Sequence, residues 1–356
     1  MKIAVVGRFY EEGFATFVAQ ALADMKHEPV RFDPAAPLVP FGSRAAFYIN
    51  RLLSKGHETV MAAARTLGLS ADGRALVRAV EAAGGVDLII ACHDFLTPAD
   101  AQQVKQAARA PLALWYPDPI WSFQRHMFLN APYDFLFFKD PYLVDILRRK
   151  IGANAFYLPE CFSPRSLCSE DAPEAQYQAD ICTAGNLYAY RVALFRHLEG
   201  RDVKIWGLPA PLWMDTRGIE PMIQNRFVAH SEKAKAFRSA KIVLNNLNPA
   251  EIWGTNVRTF EICGAGAFQL VDWRPGLPQL FEPGKELVAF DGLEDMKAKI
   301  DHYLGAPQER DAIAAAGQAR ALREHTYEHR LRLLLDTVAG ARAGFDMPRA
   351  GGGPAW

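Results

Sequence analysis

The sequence predicts an α/β protein of two consecutive doubly wound lobes, and three observations lead to that class. Short apolar runs of strand type alternate with segments of helical periodicity from the first residues onward. The alternation breaks once, near Tyr157, in a proline-rich stretch, and then begins again. Both halves open alike, with a strand, a glycine turn and a helix. Strands alternating with helices imply parallel sheets covered on both faces. At 356 residues the chain is also too long for one ordinary core.

Each element follows from its residues. Lys2 to Val6 is an apolar run ending at Gly7, after which Phe14, Phe17, Val18, Ala21 and Leu22 recur at helical spacing. Asp87 to Cys92, Leu112 to Tyr116 and Phe135 to Phe138 are continuous apolar runs, as expected of strands buried on both faces. Residues 34–72, rich in Ala, Arg and Leu, read as inserted helices. The stretch YLPECFSPRSLCSEDAPEAQYQ, with its prolines and no sustained period, reads as a linker. The second lobe starts with Ala179 to Ala184, the Gly185-Asn186 turn and a helix carrying Val192, Leu194, Phe195 and Leu198. Val203 to Trp206, Ile242 to Asn245, Phe268 to Val271 and Leu287 to Phe290 supply its other strands, and Met296, Ile300, Tyr303 and Leu304 mark one face of a later helix. The expected division is an N-terminal lobe over 1–160, a linker over 161–177, a C-terminal lobe over 178–325, a C-terminal helix over 326–345 and a glycine-rich disordered tail over 346–356.

Composition excludes several functions. Lys plus Arg and Asp plus Glu both number 40, so no overall basic field attracts nucleic acid. The first apolar run stops at Gly7, and no run approaches the roughly 18 apolar residues a spanning helix needs. The expectation is a cytoplasmic protein with no transmembrane segment. Cys92, Cys161, Cys168, Cys182 and Cys263 are odd in number, dispersed and without a CxxC pair, which argues against a zinc site or a disulfide framework.

Open parallel sheets bind ligands at the carboxyl ends of their strands, which directs attention to Gly7, His93, Asp118, Gly185, Gly207 and the loop after Asn245. A nucleotide-dependent enzyme and a two-lobed binding protein both satisfy this outline. The segment from Asn256 to Glu286 carries the most chemistry. Thr255 or Asn256 can cap a helix whose first turns present Arg258 and Glu261, so backbone N–H groups and a guanidinium would face a diphosphate. Glu261 can accept the two hydroxyls of a ribose, and Gly264 and Gly266 permit a tight turn into the next strand. Gly207 either lets a nucleobase approach the backbone or serves a simple turn. His93 and Asp118, at the ends of neighbouring strands, are candidates for handling the acceptor or the sugar. His325 and His329 have helical i, i+4 spacing, but no acidic third ligand is evident and Thr326 reads as a helix cap, so a metal site is rejected.

The segments GNLYAYRVALF (Gly185 to Phe195), AKIVLNN (Ala240 to Asn246), RTFEICGAGAFQLVDWRPGLPQLFEPGKE (Arg258 to Glu286) and ERDAIAAAGQARALREHTYEHRLRLLL (Glu309 to Leu335) resemble, in that order, the CgeB-like glycosyltransferases, relatives of the retaining group 1 enzymes. The resemblance implies a GT-B fold of two Rossmann-like lobes and a nucleotide-sugar donor held mainly by the C-terminal lobe. It implies no metal at the diphosphate and no cofactor beyond the donor, which is linked to UDP or GDP. The acceptor would be a glycan, a protein or a small molecule. Arg191, in the family's Tyr-Arg pair, becomes a second phosphate ligand, and the family's tendency to an Asp after an aromatic strand supports Asp118. The expected donor site is therefore Gly185, Asn186, Arg191, Gly207, Asn256, Arg258 and Glu261, with Asp118, His93 and Arg258 as catalytic residues. One departure stands out: Glu261 matches the second member of the Glu-x7-Glu pair of retaining enzymes, but the first position is Trp253, and Glu251 is out of register. A metal-independent, retaining transferase is the expected function; a non-catalytic nucleotide-sugar or carbohydrate binding protein and a GT-B epimerase are the alternatives.

Overall fold

A computed structural model of the chain describes residues 1–34, 71–119, 127–167 and 174–348. The inserted helices expected over 34–72 and the end of the tail fall almost wholly outside the described residues, as does Cys168. The chain divides into two compact units. Unit 1 is Met1–Phe138, Leu147–Phe156 and Leu335–Arg342; unit 2 is Lys139–Ile146, Tyr157–Leu334 and Ala343–Trp356.

Unit 1 is built on a six-stranded sheet of β1 (Lys2–Val6), β2 (Glu28–Phe32), β3 (Leu88–Ala91), β4 (Leu112–Tyr116), β5 (Phe135–Phe138) and β6 (Ala155–Tyr157), in the order β2-β1-β3-β4-β5-β6. The pairs from β2 through β5 are parallel, with Val5 opposite Arg31 on one side and Ile90 on the other. The four central strands coincide with the apolar runs of the sequence and are buried almost throughout. Both edge strands escaped sequence reading. β2 contains Pro29 and a half-exposed pattern that only an unpaired edge tolerates, and β6 has three residues. The helix Pro98–Ala108 begins with a capping box in which Thr97 and Asp100 satisfy each other's backbone N–H groups.

Unit 2 contains a five-stranded sheet of β7 (Ala179–Ala184), β8 (Val203–Trp206), β9 (Ala240–Asn245), β10 (Gln269–Asp272) and β11 (Val288–Phe290), ordered β11-β10-β9-β7-β8 and parallel at every pairing. One apolar cluster, around Phe237, Phe260 and Phe281, covers one side, and another, around Phe195, Leu244 and Ile300, contributes further core. The stretch with linker composition packs here: Phe162, Leu167 and Tyr177 are buried in the first cluster, and Phe162 forms a parallel bridge with Thr326. Gly264 lies so close to the Phe162 ring that no side chain fits, whereas the turn into β10 falls to Gly266, at φ +74°. Gly264 is thus a packing glycine rather than a turn glycine. Cys92, Cys161, Cys182 and Cys263 are free and buried, and burial raises each thiol. Among the described residues no helix is long and apolar enough to cross a membrane.

The helices Pro307–Glu324 and Tyr327–Val338 are joined at a buried polar anchor. His325 Nε2 donates to the Leu280 carbonyl at 2.7 Å while its Nδ1 accepts from Arg330 at 2.7 Å. Arg330 Nε also donates to the carbonyls of Pro159 and Glu160, and its guanidinium lies over the Phe260 and Phe345 rings. Both His325 nitrogens are therefore engaged within the protein. Thr326 Oγ1 accepts from the His329 amide, as a helix cap does. Burial, reinforced by the Arg330 charge, pushes the His325 pKa down to about 2. Above the unfolded histidine value of about 6.5 this group makes stability independent of pH; below it only the unfolded chain takes up the proton, so stability falls as the medium is acidified. His325→Gln should flatten the acid limb of the unit 2 unfolding free energy by about 1.4 kcal/mol per pH unit between pH 6 and 4, measured by urea titration. An unchanged slope would mean the histidine is not held neutral.

Candidate functional site

Strand order decides where unit 2 can bind. From β7 the chain moves outward to the edge strand β8 and then returns to the other side of β7 as β9, so the loops after β7 and β9 diverge. Such a switch point opens a crevice at the carboxyl ends of the two strands. Gly185 and Asn186 leave β7 there, and Asn245 and Asn246 end β9.

Two arginines converge on this crevice. Arg191 comes from the helix Ala189–Arg196 and is fully buried rather than solvated. Its Nε donates to Asn246 Oδ1 at 2.9 Å and its Nη1 to the Asn186 carbonyl at 2.9 Å, and the guanidinium lies 5.0 Å from the Tyr188 ring centre. Its Nη2 is buried with no hydrogen-bond partner among the described residues. Arg258, on the helix Val257–Gly264, donates from Nη1 to the Ala184 carbonyl at 3.3 Å and from Nε to Asn245 Oδ1 at 3.4 Å. Among the described residues neither guanidinium pairs with a carboxylate. Burial, and next the Arg258 charge, lowers the Arg191 pKa to about 9. A guanidinium stays protonated at neutral pH, so the shift registers an uncompensated buried cation rather than a proton lost. An anion is the ligand that relieves it.

Glycine makes room for both groups. Gly185 sits at φ +122°, and a Cβ there would come 2.5 Å from Arg258 Nη1 and 3.4 Å from Arg191 Nη1. Gly207, following β8, supports this turn: its own Cβ would meet the Gly185 carbonyl oxygen at 2.5 Å. The backbone that Gly207 admits is the protein's own.

Asn256 caps the helix carrying Arg258, its side chain accepting from the Thr259 amide. Asn256 is fixed in turn by Asn245, whose side-chain amide reaches Asn256, Thr259 and Gln269 at 2.9 to 3.1 Å. Glu261 lies one turn along from Arg258, on the same helix face. Its Oε1 accepts from Lys233 Nζ at 2.9 Å, the lysine belonging to the helix His230–Ser239. Sequence reading passed over Asn245, Asn246, Tyr188 and Lys233. The paired asparagines closing an apolar strand were the available signal; Lys233 offered none.

Unit 1 has its own switch point, between β1 and β3. Gly7 ends one strand and His93 follows the other, with Asp118 beyond β4. His93 Nε2 and Asp118 Oδ2 are 3.7 Å apart, the histidine mostly buried and the aspartate half exposed. Rings of Phe14, Phe95 and Tyr116 surround the imidazole. His93 holds φ +113°, a left-handed conformation that non-glycine residues rarely adopt and that costs about 1–3 kcal/mol. Burial lowers its pKa, the Asp118 charge opposes that shift, and Arg8 adds to it.

Comparison with known proteins bears on this geometry. Residues 191–336, which include both arginines and Glu261, match the glycosyl transferase-like family model. Spore protein CgeB of Bacillus subtilis (strain 168) is 27% identical over 192 residues, covering 49% of this chain and 58% of that protein. The chain is thus similar to the CgeB-like glycosyltransferases over about half of its length. Its fold is GT-B. Sucrose-phosphate synthase from Thermosynechococcus elongatus superposes with a TM-score of 0.59 at 12% identity, over 96% of this chain and 100% of that one. Anabaena HepE, solved in complex with UDP-glucose, gives 0.62 at 13% identity with the same coverage.

The position that corresponds to the first glutamate of the Glu-x7-Glu pair has a structural explanation. Trp253 occupies it, ring against Tyr142, with its amide held by Asp140. Glu251 is buried and paired with Lys139 at 2.6 Å, and Lys139 is also 3.5 Å from Glu160. Arg274 Nε donates to the Glu251 carbonyl at 2.6 Å. The loop leading to Asn256 is thus tied down on several sides, with Glu251 among the ties. Gly207→Ala should push its methyl into the Gly185 carbonyl, lowering stability by about 1–3 kcal/mol. Because the same displacement moves the turn between the arginines, affinity for inorganic diphosphate should fall with it. Thermal unfolding and calorimetric titration of the one variant test both; full diphosphate affinity would show that the turn is not part of the anion site.

Proposed function

We propose that this chain transfers a sugar from a nucleotide diphospho-sugar to an acceptor hydroxyl, without a metal ion at the diphosphate and with retention at the anomeric carbon. The observation that carries the reading is the pair of guanidinium groups at the β7–β9 crevice, one of them fully buried with a nitrogen unpartnered among the described residues and neither facing a carboxylate there. The match of 191–336 to the glycosyl transferase-like family and the complexes of HepE with UDP-glucose and with UDP support a nucleotide-sugar as the ligand. The CgeB relationship to group 1 enzymes favours retention.

In the proposed step the bond between the anomeric carbon and the diphosphate oxygen breaks, and its electron pair passes to that oxygen. The acceptor oxygen bonds to the anomeric carbon and gives up its proton. Arg191 and Arg258 would stabilise the charge growing on the leaving diphosphate, a contribution largest when the donors are already in place. Gly185 and Asn186 form the wall of that site, Gly207 supports the wall, Asn256 orients the helix start, and Glu261 takes the ribose. His93 is assigned the acceptor side: its lowered pKa leaves it neutral at pH 7, ready to receive a proton, and Asp118 would steady the cation that results. The strained backbone at His93 is consistent with a residue retained for chemistry rather than for folding.

The assignment predicts divergent failures. Arg258→Ala should leave nucleoside binding nearly intact but weaken nucleoside diphosphate binding and slow transfer. Glu261→Gln should weaken nucleoside and diphosphate alike, by about 1–3 kcal/mol. Calorimetry with UDP and GDP, run with and without EDTA, and an assay of nucleotide release with an acceptor panel make the comparison. Diphosphate binding that disappears with EDTA would overturn metal independence. Tight binding with no nucleotide release on any acceptor would indicate a binding protein.

A further inference from the structure

The buried pair formed by Lys233 and Glu261 is hard to explain as a stabilising feature. Their side chains are only 11% and 13% exposed, and an ion pair withdrawn this far from water returns little net stability, because desolvating both charges offsets their attraction. The two residues come from different helices, His230–Ser239 and Val257–Gly264, and meet with Nζ 2.9 Å from Oε1. No other group among the described residues hydrogen-bonds the Glu261 carboxylate. One carboxylate oxygen is therefore occupied, and the other is left for a ligand. Glu261 also stands one helical turn from Arg258, whose guanidinium borders Gly185.

We propose that Lys233 is a positioning residue for nucleotide recognition: by holding Oε1 of Glu261 it fixes the carboxylate so that Oε2 alone accepts both hydroxyls of a ribose. The inference rests on the donor site proposed above and adds the residue that sets its preference for a ribonucleotide. A carboxylate oxygen has two lone-pair directions, and a cis-diol offers two O–H groups close enough together to use both. Such an arrangement needs an oriented carboxylate. A free glutamate would rotate among several rotamers, and that freedom would be lost on each binding event. The lysine removes it beforehand, through a charge-assisted hydrogen bond to Oε1.

The discriminating measurement is a ratio: the affinity for UDP or GDP divided by that for the same nucleotide's 2′,3′-dideoxy analogue, obtained calorimetrically for the parent, Lys233→Met, Lys233→Arg and Glu261→Gln. The parent ratio should be about tenfold or more, the order expected for hydrogen bonds to a charged group. Lys233→Met should bring it to within about threefold of unity, as should Glu261→Gln, and Lys233→Arg should restore most of it. A lysine needed only for folding would weaken both forms equally and leave the ratio intact. That result overturns the inference while the donor site stands. A parent that binds neither nucleotide overturns the donor site and the inference together, and one that binds both forms alike overturns the ribose role of Glu261 and with it the inference. Should Lys233→Met fail to fold, Lys233→Gln, polar but uncharged, carries the same comparison.

Discussion

Two positive charges at the end of one sheet, with no carboxylate among the described residues to neutralise them, are the constraint around which unit 2 is arranged. Bringing Arg191 and Arg258 beside Gly185 costs desolvation and mutual repulsion, and the fold answers with neutral partners: the Asn186 and Ala184 carbonyls, Asn245, Asn246 and the face of the Tyr188 ring. Asparagines orient a guanidinium without cancelling its charge. At Asn245 the amide is needed for its N–H groups as well, which an aspartate would lack, because they donate to Asn256, Thr259 and Gln269.

The same reasoning explains where carboxylates do occur. Glu251 is consumed by Lys139, Asp140 receives the amides of Ile252 and Trp253, and Asp272 accepts from the Leu247 amide. These acids brace the loop between β9 and the Arg258 helix. Burial raises the Asp272 pKa, with Arg274 and the Leu247 amide acting against it. Glu261 is the exception, an acid beside the crevice, and its partner Lys233 makes it an oriented acceptor rather than a counter-ion to the arginines.

Unit 1 presents a different balance. Its switch point carries a histidine in a strained backbone conformation, a half-exposed aspartate and a wall of aromatic rings. The rings exclude water from the imidazole and so depress its pKa, while Asp118 limits the depression. Aromatic burial beside Asp118 leaves an imidazole that is neutral at pH 7, whereas the guanidinium groups of unit 2 stay charged.

How much of this was legible beforehand follows from the range of each interaction. Continuous apolar runs such as LALWY and ADICTA announced their strands because burial on both faces leaves a local signature, and the cap at Asn256 was readable because its bond spans three residues. The edge strands β2 and β6 were not, since Pro29 and a half-exposed pattern disguise the first and the second has only three residues. Arg191, Arg258 and Glu261 could be named from their place at helix starts and from the family resemblance. Their partners lie far along the chain: Asn246 is 55 residues from Arg191, and Lys233 is 28 from Glu261. By itself the sequence determined the two-lobed class, the central strands and the helix that presents Arg258. Only the tertiary structure decided that Arg191 is buried rather than solvated, that Gly207 makes room for Gly185, that Glu251 is taken by Lys139 and that Glu261 is half occupied by a lysine. Those outcomes depend on the order in which parallel strands assemble, and strand order sets which distant side chains meet at one sheet end.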